Sequence, residues 1–121
     1  MCDRINIPVM LTVMMVLPGC GSNSTPEKLQ GRFNAANAIS DTSKRDSALI
    51  TVAKDAAEVG NGEVAKNAVL KISNLIRRSS TAAEVAVALA DAGELDAAAE
   101  VAKQIAETEQ RNKILEQIAD N

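Results

Sequence analysis

Histidine, tryptophan and tyrosine are absent from this chain, and Phe33 is its only aromatic residue. Without histidine, general-base, zinc-ligand and catalytic-triad chemistry each lose their commonest participant. With one aromatic ring, any core must be built from Ala, Val, Leu and Ile. Cysteine is confined to Cys2 and Cys20, so no disulfide framework of the kind that staples small secreted domains is available. No glycine-rich phosphate loop of the Walker or dinucleotide type occurs. The longest mostly apolar stretch, Ile5 to Leu17, is interrupted by Asn6, Pro8 and Thr12. It is shorter than the roughly 20 residues that a membrane-spanning helix needs. The net charge is −3, which argues against nucleic acid and against attraction to anionic headgroups.

What is present begins with that leader. A short apolar segment ending in small residues has the layout of a cleaved secretory signal. Its last four residues, Leu17-Pro18-Gly19-Cys20, resemble the lipobox of bacterial lipoproteins: an aliphatic residue, a variable one, a small one, then cysteine. The resemblance implies that residues 1–19 are removed and that Cys20 is lipidated as the mature N-terminus. Cys2 would leave with the leader. Acyl chains partition at about 0.8 kcal/mol per buried methylene, so the membrane becomes a partner through the lipid on Cys20. Gly21 follows in place of Asp, which implies the periplasmic face of the envelope and an outer-membrane destination. Residues 20–25 then form a polar tether, whose last five residues span at most about 17 Å.

Residues 26–121 carry a period. Arg45, Arg78 and Arg111 stand 33 residues apart, and so do Gly60 and Gly93. Leu49, Val52, Ala53 and Ala57 align with Ala82, Val85, Ala86 and Ala90, and the next row supplies Leu115, Ile118 and Ala119. Ala65, Val69 and Ile72 align with Ala98, Ala102 and Ile105. Spacings of three and four place each set on one helix face. Glycine at the end of a pattern supplies the left-handed residue that stops a helix. The pattern predicts six helices, at roughly 26–40, 46–59, 62–75, 80–92, 94–107 and 109–120. Short loops between them predict antiparallel neighbours. Thr25-Pro26 reads as an N-cap followed by proline at the first helical position. Thr81-Ala-Ala-Glu84 has capping-box spacing, and Ser79-Ser80 also read as helix caps. The periodic arginines read as cations at helix ends, where they meet free carbonyls. Alanine contributes little apolar area per residue, so marginal stability as a monomer is expected.

Gly93-Glu-Leu-Asp-Ala-Ala98 resembles the inter-helix turn of tetratricopeptide repeats, and Gly60-Asn-Gly-Glu-Val-Ala65 is a second copy. Ala53 and Ala86 fit that family's close-contact position. The resemblance covers about residues 27–120 and implies an all-α fold: a short α-α solenoid of antiparallel helix hairpins. Its unit is one residue shorter than the usual one. Its aromatic positions are occupied by Ala or aliphatic residues, and Arg77 and Gln110 stand where a proline usually ends the unit. By position, the resemblance implies a concave face presenting Ser47, Ile50, Lys54, Ala83, Val87, Ala90, Lys113 and Glu116. The carboxylate-gripping Lys/Asn clamp of some members is not reproduced. An apolar centre at Ile50 and Val87 suits an amphipathic helix.

Asp91, Glu94 and Asp96 lack the ligand ladder of a calcium loop and read as a solvated turn. No metal, cofactor or catalytic residue is expected. The expected function is a lipid-anchored, non-catalytic adaptor that holds a protein partner at the envelope, through Ile50, Lys54, Ala83, Val87 and Ala90. Self-association of a structural lipoprotein with no separate ligand is the alternative, and a small-ligand binder or enzyme ranks below both.

Overall fold

The computed structural model describes residues 25–121; the leader, the lipobox and Cys20 lie outside them. Six α-helices and no strand occur among the described residues: α1 (Pro26–Asn37), α2 (Thr42–Glu58), α3 (Gly62–Lys71), α4 (Leu75–Asp91), α5 (Leu95–Ala102) and α6 (Thr108–Ala119). The period survives into the backbone. Helices α2, α4 and α6 begin 33 residues apart, as do α3 and α5. Each helix packs on the next one in sequence and on the one after that.

Local chemistry sets the helix boundaries. Thr25 caps α1 by accepting from the Lys28 amide at 3.2 Å, with Pro26 next in line. Helices α2 and α4 stop alike. Gly60 and Gly93 adopt φ of +77° and +89°. Around them the Asn61 and Glu94 amides donate to Ala56 and Leu89, and the Gly60 and Gly93 amides donate to Ala57 and Ala90. That paired arrangement closes the last carbonyls of a helix with a left-handed residue at its end.

Four expected boundaries are corrected. Helices α2 and α4 start at Thr42 and Leu75 rather than at 46 and 80. Their N-caps are Asp41, accepting from the Lys44 amide, and Asn74, accepting from the Arg77 amide. Thr81 is therefore no cap: it lies inside α4 and is buried. Ser79 and Ser80 are likewise within α4. Helices α3 and α5 end at Lys71 and Ala102 rather than at 75 and 107. Here side chains of the preceding long helix draw the chain out of helical register. Asp46 accepts from the Ser73 amide at 2.9 Å and the Asn74 amide at 3.0 Å. Ser79, 33 positions later, accepts from the Ala106 amide at 2.9 Å.

The core is aliphatic and rich in alanine. Leu29, Leu49, Val69, Ile72, Val85, Leu89, Val101 and Ile105 are its largest fully buried apolar side chains. Ala53, Ala56, Ala65, Ala68, Ala82, Ala86, Ala98 and Ala102 are buried between them. Small side chains at these contacts bring helix axes close together. Gly62 marks the tightest approach: a Cβ there would lie 2.7 Å from the Ala97 Cβ. The aligned apolar columns are all buried in their first two rows. In the third row Ile118 is buried, Leu115 half-buried and Ala119 exposed.

Candidate interaction surface

The three periodic arginines occupy the first turns of α2, α4 and α6, whereas the bounds expected from sequence leave Arg45 and Arg78 in inter-helix loops. Each guanidinium reaches back six residues to the carbonyl of an isoleucine that follows the preceding helix. Arg45 donates to Ile39 at 3.5 Å, Arg78 to Ile72 at 3.3 Å and Arg111 to Ile105 at 3.1 Å. A cation at a helix C-terminus meets free carbonyls and the negative end of the dipole. This accounts for the arginines structurally.

Asp46 is the one buried carboxylate among the described residues. Burial pushes its carboxyl up, but the amide bonds from Ser73 and Asn74 and the charges of Arg77 and Arg45 outweigh this, and the net displacement is downward. Hydrogen bonds to the ionised form explain the direction. Asp46 thus ties α2 to the α3–α4 loop as an ion. Its role is internal and its two oxygens are occupied.

The residues expected on the concave face are distributed as follows. Ile50, Ala83 and Val87 are half-buried and pack against the core. Ala90 is 8% exposed and presents almost nothing to a partner. Lys54 is exposed and pairs with Glu84 at 3.3 Å. Ser47 accepts from Arg77 at 2.8 Å. Lys113 and Glu116 are exposed on α6. Much of this face is therefore spent on the contact between α2 and α4.

A different surface stands open. A cleft of ≈ 480 Å³ between α4 and α6 is lined by Leu75, Ile76, Ser79, Ser80, Ala83, Glu84, Ala106, Glu107 and Gln110. Leu75 is 64% and Ile76 81% exposed, the two most exposed large aliphatics among the described residues. The same cleft occurs one period earlier, at ≈ 340 Å³, lined by Thr42, Ser43, Asp46, Ser73, Asn74 and Arg77. Every one of those six positions recurs in the second cleft 33 residues later. The chemistry does not recur. In the first cleft Arg77 bridges across, donating to the Ser43 carbonyl at 3.5 Å and to the Ser47 hydroxyl. Gln110 takes its place in the second and makes no such bridge, and Thr42-Ser43 are replaced by Leu75-Ile76. The sequence signal was available: an aliphatic pair opens α4, where α2 and α6 open with Thr-Ser and Thr-Glu.

Among the described residues, no group of three or more His, Cys, Asp or Glu is arranged to hold a metal ion. No helix among them is long and apolar enough to cross a membrane. Comparison with protein-family models, curated proteins and solved structures finds no match to this chain.

Proposed function

We propose that this chain is a lipid-anchored helical-repeat adaptor of the bacterial cell envelope that binds a protein partner and performs no catalysis. The fold proposed is a short α-α solenoid of antiparallel, tetratricopeptide-like hairpins. Support comes from the equal 33-residue steps, the packing of each helix chiefly on near neighbours, and devices repeated unit by unit. The arginine-to-isoleucine caps recur three times and the paired glycine stops twice. In repeat proteins each unit buries its apolar face on the next, which fits this pattern.

The lipid anchor rests on Leu17-Pro18-Gly19-Cys20 and the short apolar leader before it. The observation that carries the adaptor reading is the pair of exposed aliphatics beside an open cleft. Single exposed aliphatics are ordinary, whereas adjacent ones at a concavity suit a protein contact. End-to-end self-assembly is the weaker reading. The positions that on α4 are Ser80, Ala83 and Val87 are Lys113 and Glu116 on α6 and Asp120 at its C-cap, so this face is charged.

The anchor is tested by the mass of the chain extracted from envelopes. An N-terminus at Cys20 bearing acyl chains is expected, and an unmodified chain starting at Met1 would contradict it. The adaptor is tested by a photo-crosslinking residue placed at Val87. Adducts with a distinct envelope protein are expected, whereas adducts with the chain itself alone would reassign it to self-assembly.

A further inference from the structure

We propose that the cleft between α4 and α6 is a docking site for an amphipathic protein segment that carries an aliphatic side chain flanked by Lys or Arg. This rests on the adaptor reading and names the partner's chemistry. Three observations carry it. The first is the internal comparison. One backbone arrangement occurs twice, and only the copy at Leu75-Ile76 presents a pair of exposed large aliphatic side chains. In the first copy Arg77 bridges the rim to the Ser43 carbonyl and the Ser47 hydroxyl, and Gln110 makes no such bridge in the second.

The second is cost. Leu75 and Ile76 occupy the first turn of α4, a position where the first copy shows that Thr and Ser suffice. At 64% and 81% exposure they contribute little to the core. Their burial against a partner removes that apolar area from water, the usual source of affinity at an anchor position.

The third is charge. The lining of the open cleft holds two carboxylates, Glu84 and Glu107, and no cation. Both residues are exposed. Glu84 shares its charge with Lys54 in a surface pair of low worth. A cationic flank on the incoming segment therefore meets negative charge at the rim while its aliphatic residue meets Leu75 and Ile76. Complementary rim charge selects the sign of the partner and speeds its encounter. An anionic membrane surface lacks that complementarity.

The test uses the full-length chain bearing Cys20→Ser, so that no acyl chain occupies the cleft. The probes are two labelled model peptides, an amphipathic Leu/Lys helix and its Leu/Glu counterpart, followed by fluorescence anisotropy. The Leu/Lys peptide is expected to bind and the Leu/Glu peptide to bind more weakly. Ile76→Asp should weaken the Leu/Lys complex by about tenfold or more. Leu75→Thr with Ile76→Ser, which installs the first cleft's own residues, should do the same without disturbing the fold. Ser43→Asp, at the matching position of the first cleft, should change nothing. Glu84→Lys with Glu107→Lys should reverse the preference between the peptides, an outcome that a purely structural role of these residues does not give. Equal binding of both peptides, or binding indifferent to Ile76, would overturn the site. So would binding of anionic-lipid vesicles, or concentration-dependent dimerisation, that depends on Ile76 while neither peptide binds. A crosslink from position 87 to a foreign protein, with no peptide bound at the cleft, would remove this site and leave the adaptor reading intact.

Discussion

Asp46 shows how much of this fold depends on single side chains that the apolar pattern does not mention. A carboxylate at 1% exposure is costly unless its oxygens are occupied, and here two backbone amides of the next unit occupy them. The ionised form is the bonded form, so its folded-state affinity for protons lies below the ordinary 3.8. A depressed carboxyl contributes stability that is complete above its unfolded value. That contribution is lost as pH falls through the folded value. Asp46→Asn should therefore destabilise the chain near neutral pH by roughly 1–3 kcal/mol, since an amide keeps one acceptor oxygen and adds donors that lack partners. The difference from the parent should shrink once pH falls below 3.8. Urea titrations at both ends of that range read both effects. A constant difference would show that protonation of Asp46 is not linked to folding.

At the scale of elements, glycine separates two kinds of constraint. Gly62 opens α3 where α5 crosses it, and a methyl group there meets the Ala97 Cβ at 2.7 Å and the Glu94 Oε1 at 2.9 Å. Gly31 sits inside α1 with nothing within 4 Å of an added Cβ. Gly62→Ala should cost about 1–3 kcal/mol through displaced helices. Gly31→Ala should gain about 0.5–1 kcal/mol through helix propensity alone. Thermal melts of the two variants should move in opposite directions. The same scale shows what the sequence made legible. The buried columns, with Leu49 over Ala82 and Val69 over Ala102, follow from spacing because burial is the main force acting on them. The stops at Gly60 and Gly93 follow because only glycine suits their backbone angles. The start of α2 is hidden because Asp41 stands before the polar run Thr42 to Arg45, and that of α4 because Thr81-Ala-Ala-Glu84 mimics a cap inside the helix. The ends of α3 and α5 are not legible locally because they are set by Asp46 and Ser79, side chains 27 residues upstream of the amides they bind. No local pattern carries that information. The open cleft is hidden in the sequence for a related reason. Columns that agree mark the core, and Leu75-Ile76 stand where the columns differ, opposite Thr42-Ser43 and Thr108-Glu109.

For the whole molecule, the outward face of α6 decides between binding and stacking. Lys113 and Glu116 of α6, with Asp120 at its C-cap, stand where α4 has Ser80, Ala83 and Val87. Charges at these positions keep water on the face and oppose the docking of another helix pair. Lys113→Ser, Glu116→Ala and Asp120→Val together should turn α6 into a surface like that of α4. Sedimentation should then show concentration-dependent association that the parent chain lacks. Unchanged sedimentation would mean that charge is not what keeps this face free. The arrangement of units is itself open to a direct measurement, because the residues after Cys20 contain no cysteine. Ser47, Ser80 and Lys113 occupy the same position in three successive units, and each tolerates a nitroxide on an exposed site. Pairwise spin-label distances should give equal separations for 47–80 and 80–113, with 47–113 about twice as long, as units advancing in one direction require. Three equal distances, as in a closed bundle, would contradict the repeat stack on which the adaptor and its cleft both rest.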